Sequence, residues 1–213
     1  NKLVNTSKTC DGCHFVGFMS QQKRVEPAIA CESCHGPGSK HVKDPRSQIY
    51  KASNVDPIRS NEVCLQCHMR NYDKRLEDKN KTLKDLMGDV RDYPLGYEPG
   101  LPLVNYKTAI SLKDKKFFGN GVGKKNRMQG NEYVHSGMYK HGITCINCHN
   151  PHSLDNSSSK KLGDKSCMKC HSFGSVIGPH QESIEAHTHH KSDSTGSSCI
   201  ECHMPKTGKH TGK

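Results

Sequence analysis

Cysteine and histidine recur in this chain in one fixed unit, Cys-x-x-Cys-His. It occurs six times: Cys10-Cys13-His14, Cys31-Cys34-His35, Cys64-Cys67-His68, Cys145-Cys148-His149, Cys167-Cys170-His171 and Cys199-Cys202-His203. Two residues three apart share one face of a helical turn, so both thiols of a unit can reach vinyl groups along one edge of a porphyrin. The next residue, a histidine, then reaches the iron as its first axial ligand. This is the attachment chemistry of c-type haem. It assigns the twelve cysteines to thioether bonds, His14, His35, His68, His149, His171 and His203 to iron, and six covalent haems to the chain. All 12 cysteines are used, and none is left for a disulfide. Zinc ribbons also employ Cys-x-x-Cys, but they do not require histidine directly after the second cysteine. At the histidine frequency of this chain, six such placements in six arise by chance on the order of once in ten million.

What occupies the other side of each iron decides between electron transfer and chemistry at the metal. Of 15 histidines, nine are not in a motif: His41, His135, His141, His152, His180, His187, His189, His190 and His210. Nine candidates suffice for six irons, so bis-histidine ligation throughout is the economical reading. Saturated, low-spin irons exchange electrons with little rearrangement and leave no place for a substrate. His135 and His180 are chosen as distal ligands by their position near motifs. Methionine is the rival ligand. Met69 and Met204 directly follow a motif histidine, cannot reach the opposite face of the same ring, and are expected to pack instead; Met19, Met87, Met128, Met138 and Met168 remain available but unneeded.

The elements that hold these units must be built from little apolar material. Hydrophobic residues make up 31% of the 213, aromatics 6%, and tryptophan is absent, which is poor stock for an ordinary core. The haems themselves would be the core. The expected fold is mostly irregular with short α-helices, a multihaem cytochrome c wrapped around a stacked haem chain, with almost no β-structure. The net charge of +11 taken alone points to nucleic acid or an acidic surface. Haem propionates change that sum: each oxidised haem adds about −1 and each reduced haem about −2, bringing the whole to about +5 or about −1. The basic residues therefore compensate propionates, and no nucleic-acid partner is expected. No apolar run is long enough to span a membrane. Thioether attachment takes place outside the cytoplasm, so an exported chain, periplasmic, cell-surface or extracellular, is expected, with its export signal already removed.

Along the chain the motifs form two clusters within one domain, residues 1–70 and 133–213, separated by a haem-free stretch, 71–132. First cysteines step by 21 and 33 residues in one cluster and by 22 and 32 in the other, the spacing of a duplicated three-haem module. In the haem-free stretch, Tyr72–Val90 has the periodicity of an amphipathic helix. Pro94 to Leu103 reads as extended chain and turns, and Lys113–Lys116 and Gly119–Lys125 read as solvated loop. Asn131 to His141 reads as helix leading into the fourth motif.

The unit Cys31-x-x-Cys34-His35-Gly-Pro-Gly-x-x-His41 resembles the signature of pentahaem nitrite reductases, octahaem hydroxylamine oxidoreductases and the tetrahaem cytochromes of ammonia oxidisers. There the trailing histidine is a distal ligand to another haem, which implies that role for His41. The segment from Met138 through Cys145-x-x-Cys-His-Asn-Pro-His152, with His187-Thr-His-His190 and Cys199-x-x-Cys-His-Met-Pro205, is similar to a broad group of multihaem cytochromes. That similarity implies distal roles for His152, His187 and His190. No Cys-x-x-Cys-Lys occurs, and six haems match neither enzyme type, so the resemblance carries fold further than activity. Similar small cytochromes polymerise into extracellular conductive filaments, or nanowires, in which a histidine of one subunit ligates a haem of the next. His210 or the group at His187 to His190 would suit that role.

The residues and the resemblance together lead to an electron carrier, not an enzyme, whose partners are other redox proteins or extracellular electron acceptors, with a homopolymer joined by haem ligation as one form. The rival reading is a reductase or oxidase of small nitrogen or sulfur oxyanions at one open haem. A third is a structural haem-bearing subunit that docks through the haem-free stretch.

Overall fold

The computed structural model of the chain describes residues 10–17, 25–71, 93–153, 159–176, 178 and 182–204. The helix expected over Tyr72–Val90 lies outside the described residues, as do His180, His210, Met19 and Met87. Among the described residues the chain is mostly irregular, with short helices at the attachment motifs. Helices α1 (Asp11–His14), α2 (Cys31–His35), α3 (Ser39–Lys43), α4 (Pro57–His68), α5 (Gln129–Tyr133) and α6 (Gly137–Lys140) are followed by α7 (Cys145–Cys148), α8 (Ser159–Met168), α9 (Ile184–Thr188) and α10 (Cys199–His203). The two strands described, β1 (Phe15–Val16) and β2 (Glu26–Pro27), are two residues each and pair antiparallel with Phe15 opposite Pro27. No helix among the described residues is long and apolar enough to cross a membrane. Contacts divide the chain into two compact units between Cys145 and Ile146.

The first unit is built on α4. Asp56 caps it by accepting from the backbone N–H groups of Ile58 and Arg59, at 3.0 and 3.1 Å, and Pro57 fills the first turn, where a missing N–H costs nothing. Its buried face puts Leu65, with Met69 just beyond the last turn, against Tyr97 and Leu103 of the haem-free stretch. The Tyr97 and Tyr106 rings meet edge to face there, 5.6 Å apart. Helix α5 presses on the same face at Gly130, where a side chain would collide with Leu65. A second small core joins Ile110, Phe117 and Met128.

Apolar packing of this size leaves polar side chains to close the fold. Asn131 is fully buried (0% exposed). Its amide oxygen accepts from the Arg70 backbone N–H at 2.7 Å and its amide nitrogen donates to the Arg70 carbonyl at 3.0 Å. It thereby pairs the backbone of a residue that lies beyond the end of the helix. Asn71 does the same for the Thr108 carbonyl, at 2.7 Å.

Two segments differ from their expected form. The helix expected over Asn131 to His141 is split into α5 and α6, because Ser136 starts a new turn by accepting from the Tyr139 N–H at 3.2 Å. The loop segments 113–116 and 119–125 are not wholly solvated, since Gly123 is buried. Phe118 N–H donates to Val122, Lys124 N–H donates to Lys116, both at 2.8 Å, and Phe117 turns inward while Lys113, Lys115 and Lys125 stay exposed.

In the second unit α8 and α10 are joined by Asp164, which accepts from the Cys199 backbone N–H at 2.7 Å and from the Ser198 hydroxyl at 3.4 Å. Ser183 caps α9 by accepting from the Ala186 N–H, and Glu185 accepts from the Ser192 N–H at 3.0 Å, which closes the loop after the helix.

Replacing Asn131 by Ala removes both hydrogen bonds to the part-buried Arg70 backbone, at roughly 1–3 kcal/mol for each group that loses its partner. The expected outcome is a loss on the order of 2–4 kcal/mol, read as a lower urea midpoint of the haem-loaded protein with an unchanged slope.

Candidate haem centres

All six Cys-x-x-Cys-His units lie within the described residues, and none of the twelve cysteines is in a disulfide. Each motif begins on or beside a helical turn: α1, α2, the end of α4, α7, the end of α8 and α10. That turn places two thiols on one side with the histidine immediately after them. The rings of His14, His68, His149, His171 and His203 are exposed and that of His35 is half-buried.

The donor chemistry fits haem iron at three points. His35 donates from Nδ1 to the Tyr50 carbonyl at 2.7 Å, and His41 from Nδ1 to the Ser47 carbonyl at 3.0 Å. A carbonyl on Nδ1 fixes the tautomer and turns Nε2 outward as a metal donor, the second-sphere arrangement typical of ligating histidines. In the second unit, the His187 and His203 rings are parallel within 2° with centroids 6.2 Å apart. Both are imidazole donors of the kind that would hold haem iron. When bound, haem supplies reversible one-electron exchange; the chain supplies the thiols, the imidazoles and the groups that aim them.

The other expected ligands are placed less directly. His135 directs Nε2, not Nδ1, at a carbonyl, that of Ile110 at 3.1 Å. To ligate, it would use Nδ1 or turn its ring. His152 is exposed in the turn after α7, with its N–H held by Asn150. The His190 ring lies against Gly196, where any side chain would meet it. His189 takes the left-handed conformation, φ 60°, that ends α9. Met69 and Met128 are buried packing residues, Met69 as expected, whereas Met204 is 63% exposed and does not pack.

Helix α4 draws the first unit's motifs together. Gln66 donates to the Ser33 carbonyl of the second motif at 2.9 Å. Asn61 accepts from the Cys145 N–H of the fourth motif at 2.8 Å and donates to the Ile143 carbonyl at 3.2 Å. The thiols themselves adjoin, Cys67 with Cys13 of the first motif and Cys64 with Cys145.

These pairs are electrostatically unequal. Before haem is attached, the Cys13 thiol is lowered to about 6, chiefly by the neighbouring Cys67 thiol, with Lys107 and Arg127 adding positive charge nearby. Its partner Cys67 is raised, by the Cys13 thiol and by burial. Cys64 is raised by the Cys145 thiol and by burial, and Cys145 is lowered. In the second unit Cys199 is pushed up to about 12 by burial and by the Asp164 carboxylate.

Sequence reasoning did not single out Asn61 or Asp164. Each stands three residues before the first cysteine of its own motif, Cys64 or Cys167, and each holds the first cysteine N–H of the next motif, Cys145 or Cys199. The device recurs across sequence separations of 84 and 35 residues. A polar residue at that offset was its one visible signal.

No protein-family profile matches the chain. It is 23% identical over 160 residues to the multiheme cytochrome MtrA of Shewanella baltica, covering 73% of this chain and 46% of that one. It is 24% identical over 212 residues to the dissimilatory sulfite reductase MccA of Wolinella succinogenes, covering 87% of this chain and 23% of that one. The chain thus spans less than half the length of either relative. Among solved structures it aligns with the outer cell wall cytochrome OcwA at a TM-score of 0.50 and 24% identity, over 83% of this chain and 35% of that one. At that identity the likeness establishes fold. With attachment motifs on successive helical turns, histidines aimed by carbonyls, and relatives of the same kind, the chain is a multihaem c-type cytochrome.

Proposed function

We propose that the chain conducts electrons through six covalent, bis-histidine haems, with the haem of Cys64 and Cys67 as a junction. The observation that carries this is the gathering of motifs at α4: its two cysteines adjoin thiols of the first and fourth motifs, and Gln66 ties it to the second. Macrocycles attached through adjoining sulfurs start from adjoining edges, the arrangement that electron exchange needs. In the second unit, Asp164 pairs the fifth and sixth motifs as Asn61 pairs the third and fourth. The iron at His203 takes His187 as its second ligand, and His41 serves an iron other than that of its own motif. His135, His152, His180 and His190 complete the ligand set.

The protein works outside the cytoplasm, where thioether attachment occurs, and exchanges electrons with other redox proteins or extracellular acceptors. A filament joined by haem ligation between copies is the polymeric form of this reading. One comparison favours a second reading: the similarity to a dissimilatory sulfite reductase runs over 87% of this chain. On that reading one haem is open and reduces a sulfur oxyanion. The spare histidines weigh against it.

Electron paramagnetic resonance of the oxidised protein, with the haem number fixed by intact mass, separates the two. The conduit reading expects six haems, all low-spin, unchanged by sulfite, nitrite or hydroxylamine. A stoichiometric high-spin haem that responds to one of them would make the reductase reading the correct one.

The ligand pairing has its own check. His187→Ala is expected to turn one haem high-spin without changing the mass-determined haem number, while His189→Ala leaves every haem low-spin. A low-spin spectrum in both variants would remove His187 from the ligand set.

A further inference from the structure

Between Ile110 and Met128, which belong to the second small core, the chain runs out to the surface and returns. Residues 111–127 carry six basic side chains and one acidic, close to half of the chain's net charge of +11. The one carboxylate, on Asp114, is turned onto its own loop, where it accepts from the Lys116 N–H at 2.8 Å. Lys113, Lys115 and Lys125 are exposed. Two apolar side chains stand among them, Leu112 and Phe118, 41% and 40% exposed. Lys124 holds its ammonium 5.3 Å from the centre of the Phe118 ring and donates to the Lys115 carbonyl at 2.9 Å. The backbone beneath is fixed. Phe118 N–H donates to the Val122 carbonyl at 2.8 Å, and the Gly121 N–H returns to the Phe118 carbonyl at 2.9 Å. Gly121 makes that turn at φ 82°, a conformation open to glycine.

An apolar centre with a charged rim is the form of a transient protein interface. A loop already fixed loses little freedom when a partner settles on it. One edge of this patch also meets an attachment site: Arg127, two residues along the chain from Lys125, brings Nη1 to 3.9 Å from Cys13 Sγ. We propose that the face carrying Leu112, Phe118, Lys113, Lys115, Lys124 and Lys125 is the docking surface for an acidic redox protein that exchanges electrons with the haem attached at Cys10 and Cys13. The apolar centre favours a folded protein over a bare polyanion, which would use the lysines alone. This rests on the conduit reading above and adds to it where an electron crosses the surface and the charge of the protein that carries it.

The test mixes the haem-loaded protein with flavodoxin hydroquinone, an acidic one-electron donor, in a stopped-flow spectrometer. Each transfer oxidises the anionic hydroquinone to the neutral semiquinone and reduces one ferric haem. Lys115→Glu with Lys125→Glu reverses charge inside the patch, and Lys51→Glu with Lys140→Glu makes the same change of net charge at exposed lysines elsewhere. At low ionic strength the patch pair is expected to lower the second-order rate about tenfold and the control pair less than about twofold. The difference is expected to vanish at about 0.5 M salt, where exposed charges are screened. Phe118→Ser is expected to slow the reaction about threefold at every salt concentration, with the haem number by mass unchanged. Equal slowing in both pairs overturns the proposal, because the charge of the whole molecule would then account for the rate. A wild-type rate that does not fall as salt rises overturns it as well. Loss of a haem by mass in Phe118→Ser overturns it, because the ring then packs on a macrocycle. Binding to phosphatidylglycerol vesicles that the patch pair abolishes, with the flavodoxin rate unchanged, overturns it in favour of a lipid surface. Failure of the conduit reading would show as fewer than six haems reduced in the wild type, an amplitude that leaves the ratios of rates measurable.

Discussion

The amide of Asn61 is the contact on which the arrangement of motifs in the first unit depends. It is 1% exposed, and it pairs the Cys145 N–H and the Ile143 carbonyl across more than 80 residues of sequence. A helix as short as α7 supplies no hydrophobic face with which to dock itself, and its first N–H groups have no partner within the helix. A side chain projecting from a longer, well-capped helix solves both problems with one group. Asp164 repeats the solution for α10, with a carboxylate in place of the amide. Attachment motifs are thus placed by directional hydrogen bonds to their own backbone, which fixes position and orientation together. Apolar contact, being non-directional, would fix neither in so thin a core.

The haem-free stretch completes α4. It supplies Tyr97 and Leu103 to the helix's apolar face, Asn131 to the peptide that follows it, and Lys107 to its open end. A docking appendage could be removed without cost to the motifs. This stretch could not, since it closes the element that three other motifs lean on. The polar surface of 113–125 remains free for partners, but the stretch behind it has structural work.

The six motifs were legible in the sequence because covalent attachment tolerates one spacing. The irregular, helix-poor fold followed from the scarcity of apolar residues. What joins the motifs was not legible. Asn61, Asp164, Gln66 and Asn131 are ordinary polar residues whose partners lie 33 to 84 residues away, and such pairings leave no periodicity. The near-equal motif spacings drew attention to two clusters of three, whereas the repeated contact joins the third motif to the fourth and the fifth to the sixth. Separations of 81 and 32 residues between their first cysteines conceal that likeness. Lys107 was invisible for a different reason: it is one of 32 basic residues, and charge in a sequence says nothing of burial.

Burial is also what separates Lys107 from the rest of the chain's positive charge. Two unit charges 4 Å apart interact by about 1 kcal/mol in water and by about 4 kcal/mol at the effective dielectric of a protein site. Beyond about 8 Å in physiological salt, exposed charges are largely screened. Lys113, Lys115 and Lys125 are exposed, and they act on the molecule's net charge and on its encounters with partners. Each electron taken up by a haem lowers that net charge by about one unit, so each reduction makes the next less favourable. A uniform surface charge shifts all haems together and cannot rank them. Ranking needs a charge that one haem feels more strongly than its neighbours, held where solvent does not average it away.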